Sequence, residues 1–325
     1  MELNDFLAEW HNDTPRILVH TSGSTGKPKP LMVEKRRMLN SARITCDFLG
    51  LKPGDTALLC MPLDYIAGKM MVVRSLQRDL RLTTVRPSSH PLADDALPSF
   101  TFAAMVPMQV YNTLKVPCER ERLMHIRHLI IGGGAISDEL AQMIKPLPNA
   151  VWSTYGMTET LSHIALRRLN GLDASLWYTP FDGVGISLNA DGCLVIDAPE
   201  VCAEPLATND IARLRTDDRT GKTLFRIKGR KDNVVCSGGI KIQIEEVEET
   251  LRPHLSAPFM IVKKQDEMLG EKAILLTESA DLTHIEEICR NTLPKYWVPR
   301  EFLHIDHLPL TETGKPKRTL PFTPR

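Results

Sequence analysis

The most distinctive stretch of this chain reads Thr21-Ser22-Gly23-Ser24-Thr25-Gly26-Lys27-Pro28-Lys29. Apolar runs flank it at Arg16–His20 and around Leu31–Val33, which predicts a loop between two strands. Its two glycines allow backbone turns that other residues resist, and its hydroxyls and inward-pointing amides suit an anion. Two lysines add positive charge, so the loop is predicted to wrap a polyphosphate.

Two other interpretations of this loop fit its composition less well. An ordinary Gly/Ser turn would explain a lone Ser-Gly pair, but not a whole loop this rich in hydroxyls, glycine and lysine. A Walker loop would need glycine in place of Thr21, and serine or threonine in place of Pro28 to hold magnesium. The sequence therefore points away from the common kinase and ATPase class.

Length, charge and cysteine content exclude several classes of protein. The 325 residues predict two domains or three lobes, and 42% hydrophobic with 25% charged residues are typical of a globular protein. The formal net charge is zero, so no basic face predicts nucleic-acid binding. No apolar run is long enough for a membrane span and no secretory signal is present, so we expect a cytoplasmic protein. The seven cysteines include no C-x-x-C pair, which predicts free thiols.

After the loop, the chain alternates between short apolar runs and helical patterns. Strands are predicted at residues 56–61, 102–106 and 128–131, each followed by a helix. This alternation predicts an α/β fold whose large N-terminal domain has layered, mostly parallel sheets, with ligands at the carboxyl ends of the strands. Two polar, glycine-bearing stretches lie past predicted strand ends, where a site is expected: Gly132-Gly133-Gly134-Ala135 and residues 153–160.

The pattern changes toward the C-terminus. Short strands broken by turn sequences predict a small β-rich lobe over residues 184–227. A charged joint, Lys228–Asp232, precedes a further set of strands and helices, which predicts a small α+β domain with its own core. We therefore predict two domains, residues 1–231 and 232–325.

Six motifs, in family order, resemble the acyl-adenylate-forming (AMP-binding) enzyme superfamily of acyl-CoA ligases, luciferases and peptide-synthetase adenylation domains. They are the loop, Gly133-Gly134-Ala135, Tyr155-Gly156-Met157-Thr158-Glu159-Thr160, Thr208-Asn209-Asp210, Gly229-Arg230-Lys231-Asp232 and Thr313-Gly314-Lys315. Asn209 replaces the usual glycine, a tolerable change because asparagine accepts left-handed geometry. The resemblance implies an adenylation domain followed by a mobile C-terminal domain that carries the catalytic lysine.

The resemblance also implies roles for individual residues. Tyr155 would stack near adenine, Thr158 would meet the phosphate, and Glu159 would coordinate magnesium. Taken alone, Glu159 would be better explained as a solvated glutamate at a helix start. Asp210 would hold the ribose hydroxyls and Arg230 would contact the ribose. The full ATP-binding set is Thr21, Ser22, Gly23, Ser24, Thr25, Gly26, Lys27, Gly133, Gly134, Ala135, Thr154, Tyr155, Gly156, Asp210 and Arg230.

Lys315 is the implied catalytic lysine. A carboxylate that attacks a phosphate brings two anions together, so a fixed cation lowers the barrier. Attack by a thiol on the adenylate does not need this fixed cation. A C-terminal domain hinged at Asp232 can therefore withdraw Lys315 and present Gly238 and Gly239, which would line the entry for the pantetheine arm. The implied small molecules are ATP, Mg²⁺, coenzyme A and a carboxylic acid.

The acyl pocket is expected to be small and largely apolar, with Tyr65, Gly68, Lys69 and Met157 among its residues, which suits an aryl or compact acyl group. Residues 61–68 and 155–160 are most similar to o-succinylbenzoate-CoA ligases of menaquinone synthesis. That acid is a dicarboxylate, so a second cation is expected near the pocket. Lys69, Arg74 and His163 are the candidates, although each could instead be a solvated residue. Lys69 is preferred because it directly follows Gly68.

Several alternatives stay open. The acceptor thiol could belong to a carrier protein rather than to free coenzyme A. The chain could also be a non-catalytic nucleotide-binding remnant, although it retains Lys27, Glu159, Asp210, Arg230 and Lys315 together. Family members carry a substantial subdomain before the loop, whereas only twenty residues precede it here, so we expect a compact natural variant rather than a truncated chain. The chain could also form a homodimer.

Overall fold

The computed structural model describes residues 1–20, 30–134, 136–310 and 317–318. The chain divides into two compact units. Unit 1 comprises Met1–Ile186, Ile196–Leu206 and Leu214–Phe225, whereas unit 2 comprises Ser187–Val195, Ala207–Arg213 and Arg226–Arg325. The predicted boundary at Asp232 stays a prediction, since the units group parts of the β-rich lobe with the C-terminal residues.

Unit 1 begins with helix α1 (Leu3–His11) and a hairpin of strands β1 (Arg16–His20) and β2 (Pro30–Glu34). The two strands pair antiparallel, from Arg16 opposite Glu34 to His20 opposite Pro30. The predicted strands on both sides of residues 21–29 are therefore confirmed. The loop itself, with its predicted ATP-binding residues, lies outside the described residues.

Seven strands form the main sheet of unit 1. They are β3 (Thr56–Leu59), β4 (Arg81–Thr84), β5 (Phe102–Met105), β6 (His128–Ile131), β7 (Ala150–Gly156), β8 (His163–Arg168) and β9 (Thr179–Pro180). Their order is β4-β3-β5-β6-β7-β8-β9. The first five are parallel neighbours, whereas β7, β8 and β9 pair antiparallel. The predicted α/β fold with a mostly parallel sheet is confirmed.

The helices of unit 1 begin and end where the sequence provides caps. They are α2 (Lys35–Leu49), α3 (Ile66–Arg78), α4 (Pro107–Lys115), α5 (Pro117–Met124) and α6 (Asp138–Ile144). Helix α2 ends at Gly50, whose φ of 65° lets its N–H donate to the Asp47 carbonyl at 3.1 Å. Helix α6 begins after Ser137, whose Oγ accepts the Leu140 N–H at 3.2 Å.

One predicted strand end lies later than expected. Residues 153–156 were expected to follow a strand, but β7 continues as far as Gly156. The reason is β8, which pairs antiparallel with β7 as far as Gly156 opposite His163. Only residues 157–160 therefore follow the strand end.

A four-stranded sheet corresponds to the predicted β-rich lobe. Its strands are β10 (Gly185–Leu188), β11 (Cys193–Asp197), β12 (Leu206–Thr216) and β13 (Thr223–Arg230), paired in that order. The turn sequences at residues 189–192 and 217–221 join β10 to β11 and β12 to β13, as the sequence predicted.

The C-terminal part of unit 2 has its own sheet and core. Its elements are β14 (Val234–Ser237), β15 (Ile240–Gln243), α7 (Ile244–Leu251), β16 (Phe259–Asp266), β17 (Gly270–Thr277), α8 (Leu282–Thr292) and β18 (Glu301–His304). The sheet order is β15-β14-β17-β16, with β18 parallel to β17. Val247, Leu251, Ile261, Leu275 and Cys289 are buried in one core cluster. The predicted α+β character of this part is confirmed.

Two further sequence expectations concern membrane spans and cysteines. Among the described residues, no helix is long and apolar enough to cross a membrane. All seven cysteines lie in the described ranges and are free. Cys118 and Cys236 are exposed, whereas the others are buried. Burial raises the pKa of Cys60 to about 12, so this thiol stays protonated and unreactive at neutral pH.

Candidate active site

The predicted nucleotide motifs of unit 1 follow neighbouring parallel strands. Met105 pairs with Ile131, and Ile131 pairs with Ser153, so β5, β6 and β7 present their carboxyl ends at one edge of the sheet. Gly133 and Gly134 follow β6, and residues 157–160 follow β7. Such edges are where ligands bind in open α/β sheets. Ala135, the last residue of its motif, lies outside the described residues.

Small side chains are required at this edge. A Cβ on Gly132 would lie 2.5 Å from the Thr154 Oγ1, and Gly133 has a φ of 79° that favours glycine. A Cβ on Gly156 would lie 2.3 Å from the Ser162 carbonyl oxygen. The two glycine-bearing motifs therefore allow close packing of the backbone, as well as any close approach of a ligand.

A tight 3₁₀ turn, Thr158–Thr160, carries Glu159. The Thr160 Oγ1 stabilises the turn because it accepts the Met157 N–H at 3.0 Å and donates to the Ser162 carbonyl at 2.6 Å. Thr158 and Thr160 are buried, whereas Glu159 is exposed. The turn thus holds its threonines inward and leaves one carboxylate available.

Glu159 lines a cavity of about 320 Å³ in unit 1, together with Arg16, Arg37 and Cys202. Within the described ranges, no group of three or more His, Cys, Asp or Glu side chains could hold a metal ion. A single carboxylate nevertheless fits Mg²⁺, which commonly takes one or two protein carboxylates and completes its shell with water and substrate phosphates.

The Tyr155 ring belongs to a cluster of aromatic side chains. Its centroid lies 5.7 Å from that of Tyr178 and 5.0 Å from that of Phe225. The rings of Tyr178 and Phe225 stack, with 5.3 Å between centroids. The Ser153 and Tyr178 hydroxyls lie 3.0 Å apart. This packing fixes the half-buried Tyr155 ring beside the strand end, a suitable arrangement for stacking a flat base.

Behind the turn lies a buried polar cluster formed by Arg74, Ser162, His163 and Thr45. The Arg74 Nη2 donates to the Ser162 Oγ at 2.6 Å. The His163 Nδ1 lies 3.2 Å from the same hydroxyl, and its Nε2 lies 3.1 Å from the Thr45 Oγ1. Sequence reasoning named Arg74 and His163 as candidates, but no sequence signal joined them to Thr45 and Ser162.

Arg74 carries an uncompensated charge within this cluster. Its side chain is only 2% exposed, yet no acidic side chain in the described ranges pairs with it, and its Nε has no hydrogen-bond partner there. Burial lowers the pKa of Arg74 to about 10, which still leaves it charged at neutral pH. Burial and the charge of Arg74 lower the pKa of His163 well below its usual value, so His163 is neutral. A buried cation without an anion is unusual in a stable core.

Lys69 has other partners. Its Nζ donates to the Leu18 carbonyl at 3.0 Å and lies 3.9 Å from a carboxylate oxygen of Glu9. It also lies 5.5 Å from the centroid of the Phe6 ring. These contacts tie α3 to α1 and β1. Its predicted role at the acyl pocket stays a prediction.

Two other predicted pocket residues lie at the start of α3. Tyr65 is 40% exposed and precedes the helix. Gly68 lies in its first turn, where a Cβ would come within 2.3 Å of the Pro62 carbonyl oxygen. Gly68 is therefore required for the packing of this helix start.

The predicted ribose and hinge residues come together within unit 2. The Arg230 Nη1 lies 3.5 Å from an Asp210 carboxylate oxygen, and its Nη2 donates to Asp232 at 2.7 Å. Burial alone would lower the pKa of Arg230, but its hydrogen bond to the Asp232 carboxylate and the charge of Asp210 raise it. The Asp210 N–H donates to the Thr208 Oγ1 at 3.1 Å, which orients the motif. The structure thus links the predicted ribose ligand to the predicted hinge.

Gly238 and Gly239 form the turn between β14 and β15. Their φ values are 57° and 84°, which other residues rarely adopt. The Gly238 N–H donates to the Leu269 carbonyl at 2.9 Å. The glycine pair therefore has a structural role here, and its predicted contact with the pantetheine arm stays a prediction.

Lys315 lies outside the described residues, but Lys317 and Arg318 are described. Sequence reasoning assigned no role to Arg318. In the structure, its guanidinium is paired with the Glu248 carboxylate of α7.

Comparison with known proteins identifies the family. A family model described as AMP-binding enzyme matches residues 4–202 of this chain. The chain belongs to the AMP-binding enzyme family. The expectation from the six motifs is thereby confirmed, and the relatives below identify the chain as an AMP-forming acid-thiol ligase.

Several AMP-binding relatives match most of the chain. A 2-succinylbenzoate--CoA ligase of Bacillus mycoides is 26% identical over 94% of this chain and 69% of its own length. The crystal structure of an acyl-CoA synthetase (AMP-forming)/AMP-acid ligase II-like protein of Dyadobacter fermentans is 34% identical, covers 97% of this chain and 91% of its own, and has a TM-score of 0.67. An O-succinylbenzoate coenzyme A synthetase of Bacillus subtilis in complex with ATP and magnesium is 23% identical over 93% of this chain and 68% of its own, with a TM-score of 0.72, which supports the fold alone.

Proposed function

We propose that this chain is an o-succinylbenzoate-CoA ligase. In the first step, a carboxylate oxygen of the acid attacks the α-phosphorus of ATP, and the bond from that phosphorus to pyrophosphate breaks. In the second, the coenzyme A sulfur attacks the carbonyl carbon of the adenylate. The bond from that carbon to AMP breaks, and the thiol proton passes to solvent. This activity would place the enzyme in menaquinone biosynthesis.

The proposed roles in the first step follow the motifs. Residues 21–27 hold the phosphates, and Asp210 binds the ribose hydroxyls. Mg²⁺, held by Glu159, would neutralise phosphate charge when bound. Lys315 stabilises the charge that builds up as carboxylate and phosphate meet, a task for which a fixed cation is well suited. Gly238 and Gly239 are proposed to admit the pantetheine arm in the second step.

The observation that carries the choice of acid is the buried charge of Arg74. A guanidinium that lacks an acidic partner in the described ranges, while one of its N–H groups is unpaired, suits a carboxylate ligand. o-Succinylbenzoate has two carboxylates, so one is left to bind Arg74 when the other is adenylated. Relatives named for this acid match over more than nine-tenths of the chain, which supports the same choice.

A panel of acids tests this proposal. The full chain is incubated with ATP, Mg²⁺ and coenzyme A, and both pyrophosphate and thioester are measured for o-succinylbenzoate, benzoate, malonate and palmitate. We expect o-succinylbenzoate to give the highest kcat/KM. A higher value for benzoate or palmitate would contradict the choice of acid.

The same assay examines the acceptor. We expect free coenzyme A to support turnover at micromolar to millimolar concentration, the usual range of KM. If pyrophosphate is released but thioester forms only when a phosphopantetheinylated carrier protein is supplied, the acceptor is a carrier thiol instead.

A further inference from the structure

Arg318 is held by three hydrogen bonds inside unit 2. Its Nη1 donates to the Glu248 Oε1 at 2.5 Å and to the Ile261 carbonyl at 2.7 Å, and its Nη2 donates to the Glu248 Oε2 at 2.7 Å. The two bonds to Glu248 form a bidentate pair, the strongest and most directional arrangement available to an arginine.

Both partners of Arg318 are themselves fixed. The Glu248 Oε1 also accepts the Ile261 N–H at 2.7 Å, so one carboxylate joins α7, β16 and Arg318. Val247 and Leu251, on either side of Glu248 along the helix, are fully buried in the core cluster. Arg318 is therefore attached to rigid elements rather than to another surface side chain.

This ion pair is well shielded from water. The side chains of Arg318 and Glu248 are 15% and 10% exposed. Burial alone would lower the pKa of Arg318, but its hydrogen bonds to Glu248 raise it. Removal of either partner would leave the other charge buried and unpaired, which is costly. The pair therefore fixes the position of Arg318, although both charged groups lose most of their contact with water.

A second contact lies next to this pair. The Lys317 N–H donates to the Pro309 carbonyl at 2.8 Å. This bond joins residue 317 to residue 309, and the neighbouring Arg318 attaches the same part of the chain to α7 and β16. Lys315 lies outside the described residues, three positions before Arg318 in the sequence.

We propose that Arg318, held by Glu248 and the Ile261 carbonyl, is the positioning residue for Lys315 in adenylation. This inference rests on the proposed function of Lys315. The attachment restricts the positions that the Lys315 ammonium can reach, so less conformational entropy is lost when it meets the carboxylate and the α-phosphate. The thiol-transfer step does not use Lys315, so it does not depend on Arg318.

The test compares the two half-reactions in the full chain. Adenylation is followed by o-succinylbenzoate-dependent exchange of labelled pyrophosphate into ATP. Thiol transfer is followed by the reaction of a synthetic o-succinylbenzoyl-adenylate with coenzyme A. For Arg318→Ala we expect exchange to fall about ten- to a hundred-fold and thiol transfer to stay within about twofold, both measured well below the Tm.

Two further variants change the ion pair more mildly, so that a loss of exchange can be told apart from misfolding. Arg318→Lys keeps the charge but loses the bidentate fork, and Glu248→Gln keeps one hydrogen-bond acceptor. Both should reduce exchange less than Arg318→Ala does, again without loss of thiol transfer. The control is Arg290→Ala, which removes an exposed pair with Glu286 on α8 and should change neither half-reaction.

A double variant separates positioning from general stability. If Arg318 acts through Lys315, adding Arg318→Ala to Lys315→Ala should change exchange by no more than about twofold. An equal loss of both half-reactions, or a full additional loss in the double variant, would overturn the inference. If Lys315→Ala alone leaves exchange intact, the proposed function of Lys315 fails. If Lys315→Ala abolishes exchange but Arg318→Ala does not reduce it, only the present inference fails.

Discussion

The Arg74 Nη2 donates to the Ser162 Oγ across 2.6 Å, which joins the middle of α3 to the residues that follow the Glu159 turn. No acidic side chain among the described residues pairs with Arg74, and its Nε has no hydrogen-bond partner there. The cost of burying this guanidinium is therefore offset neither by an ion pair nor by exposure to water. A charge retained at such a cost is better explained by ligand binding than by stability.

Arg74→Met is predicted to weaken acid binding without a loss of stability. The variant removes a buried charge and leaves no unpaired carboxylate behind, so the Tm should stay unchanged or rise. The KM for o-succinylbenzoate should rise about ten- to a hundred-fold, because a hydrogen bond to a charged group is lost. Steady-state kinetics with ATP saturating, and a thermal melt of the same preparation, check both parts.

Lys69→Met is predicted to behave in the opposite way. This variant removes the hydrogen bond to the Leu18 carbonyl and leaves the Glu9 carboxylate without its cationic partner. The Tm should therefore fall, while the KM for the acid should stay the same. If Lys69→Met raises this KM and Arg74→Met does not, Lys69 is the cation that meets the second carboxylate.

Gly156→Ala is predicted to destabilise unit 1. The new Cβ would meet the Ser162 carbonyl oxygen at 2.3 Å and the His163 Cα at 2.4 Å, so the β7–β8 pairing must shift. We expect a loss of about 1–3 kcal/mol in the free energy of unfolding. The control is Gly185→Ala, whose Cβ would meet nothing closer than the Asp197 Cβ at 3.5 Å. Equal denaturant midpoints for the two variants would contradict the prediction.

His163 is predicted to make the protein less stable in mild acid. Its pKa is lowered in the folded state, so below its unfolded value of about 6.5 the unfolded chain binds a proton that the folded chain does not. The free energy of unfolding should therefore fall with pH below about 6.5, by up to about 1.4 kcal/mol per pH unit from this group. His163→Asn should flatten this dependence, whereas the exposed His284→Asn should not. Denaturant titrations between pH 5 and 7.5 provide the measurement.

Asp210→Asn is predicted to weaken discrimination between ATP and 2′-deoxy-ATP. The wild-type Asp210 carboxylate would bind both ribose hydroxyls of ATP but only one of 2′-deoxy-ATP. The neutral amide of the variant binds each hydroxyl less strongly, so losing the 2′-hydroxyl matters less. The KM for ATP should rise about tenfold and approach that for 2′-deoxy-ATP. The exposed Asp306→Asn serves as the control in the same unit. An unchanged preference in Asp210→Asn would assign the ribose to another residue.

The secondary structure was largely predictable because local patterns specify it. The strand 128–131 and the helix 138–144 have the predicted bounds, since an apolar run and a Ser137 cap determine them locally. Strand β15 was not predicted. Its short sequence, Ile240–Gln243, mixes polar and apolar residues, and its identity depends on pairing with β14 across the glycine turn.

The motifs were predictable for a different reason, namely that their residues are adjacent in sequence. The polar cluster was not, because Thr45, Arg74 and Ser162 come from distant parts of the chain. Likewise, the pairing of Arg318 with Glu248 joins residues that are far apart in the sequence. The preference for Lys69 over Arg74 depended on proximity to Gly68 in sequence, which does not reveal the contact with Leu18.

The most direct measurement is o-succinylbenzoate-dependent exchange of labelled pyrophosphate into ATP, without coenzyme A, by the wild-type chain and by Lys315→Ala. We predict rapid exchange by the wild type only when the acid is present, and at least about a hundredfold slower exchange by the variant. Absence of acid-dependent exchange in the wild type, or equal exchange in the variant, would contradict the account.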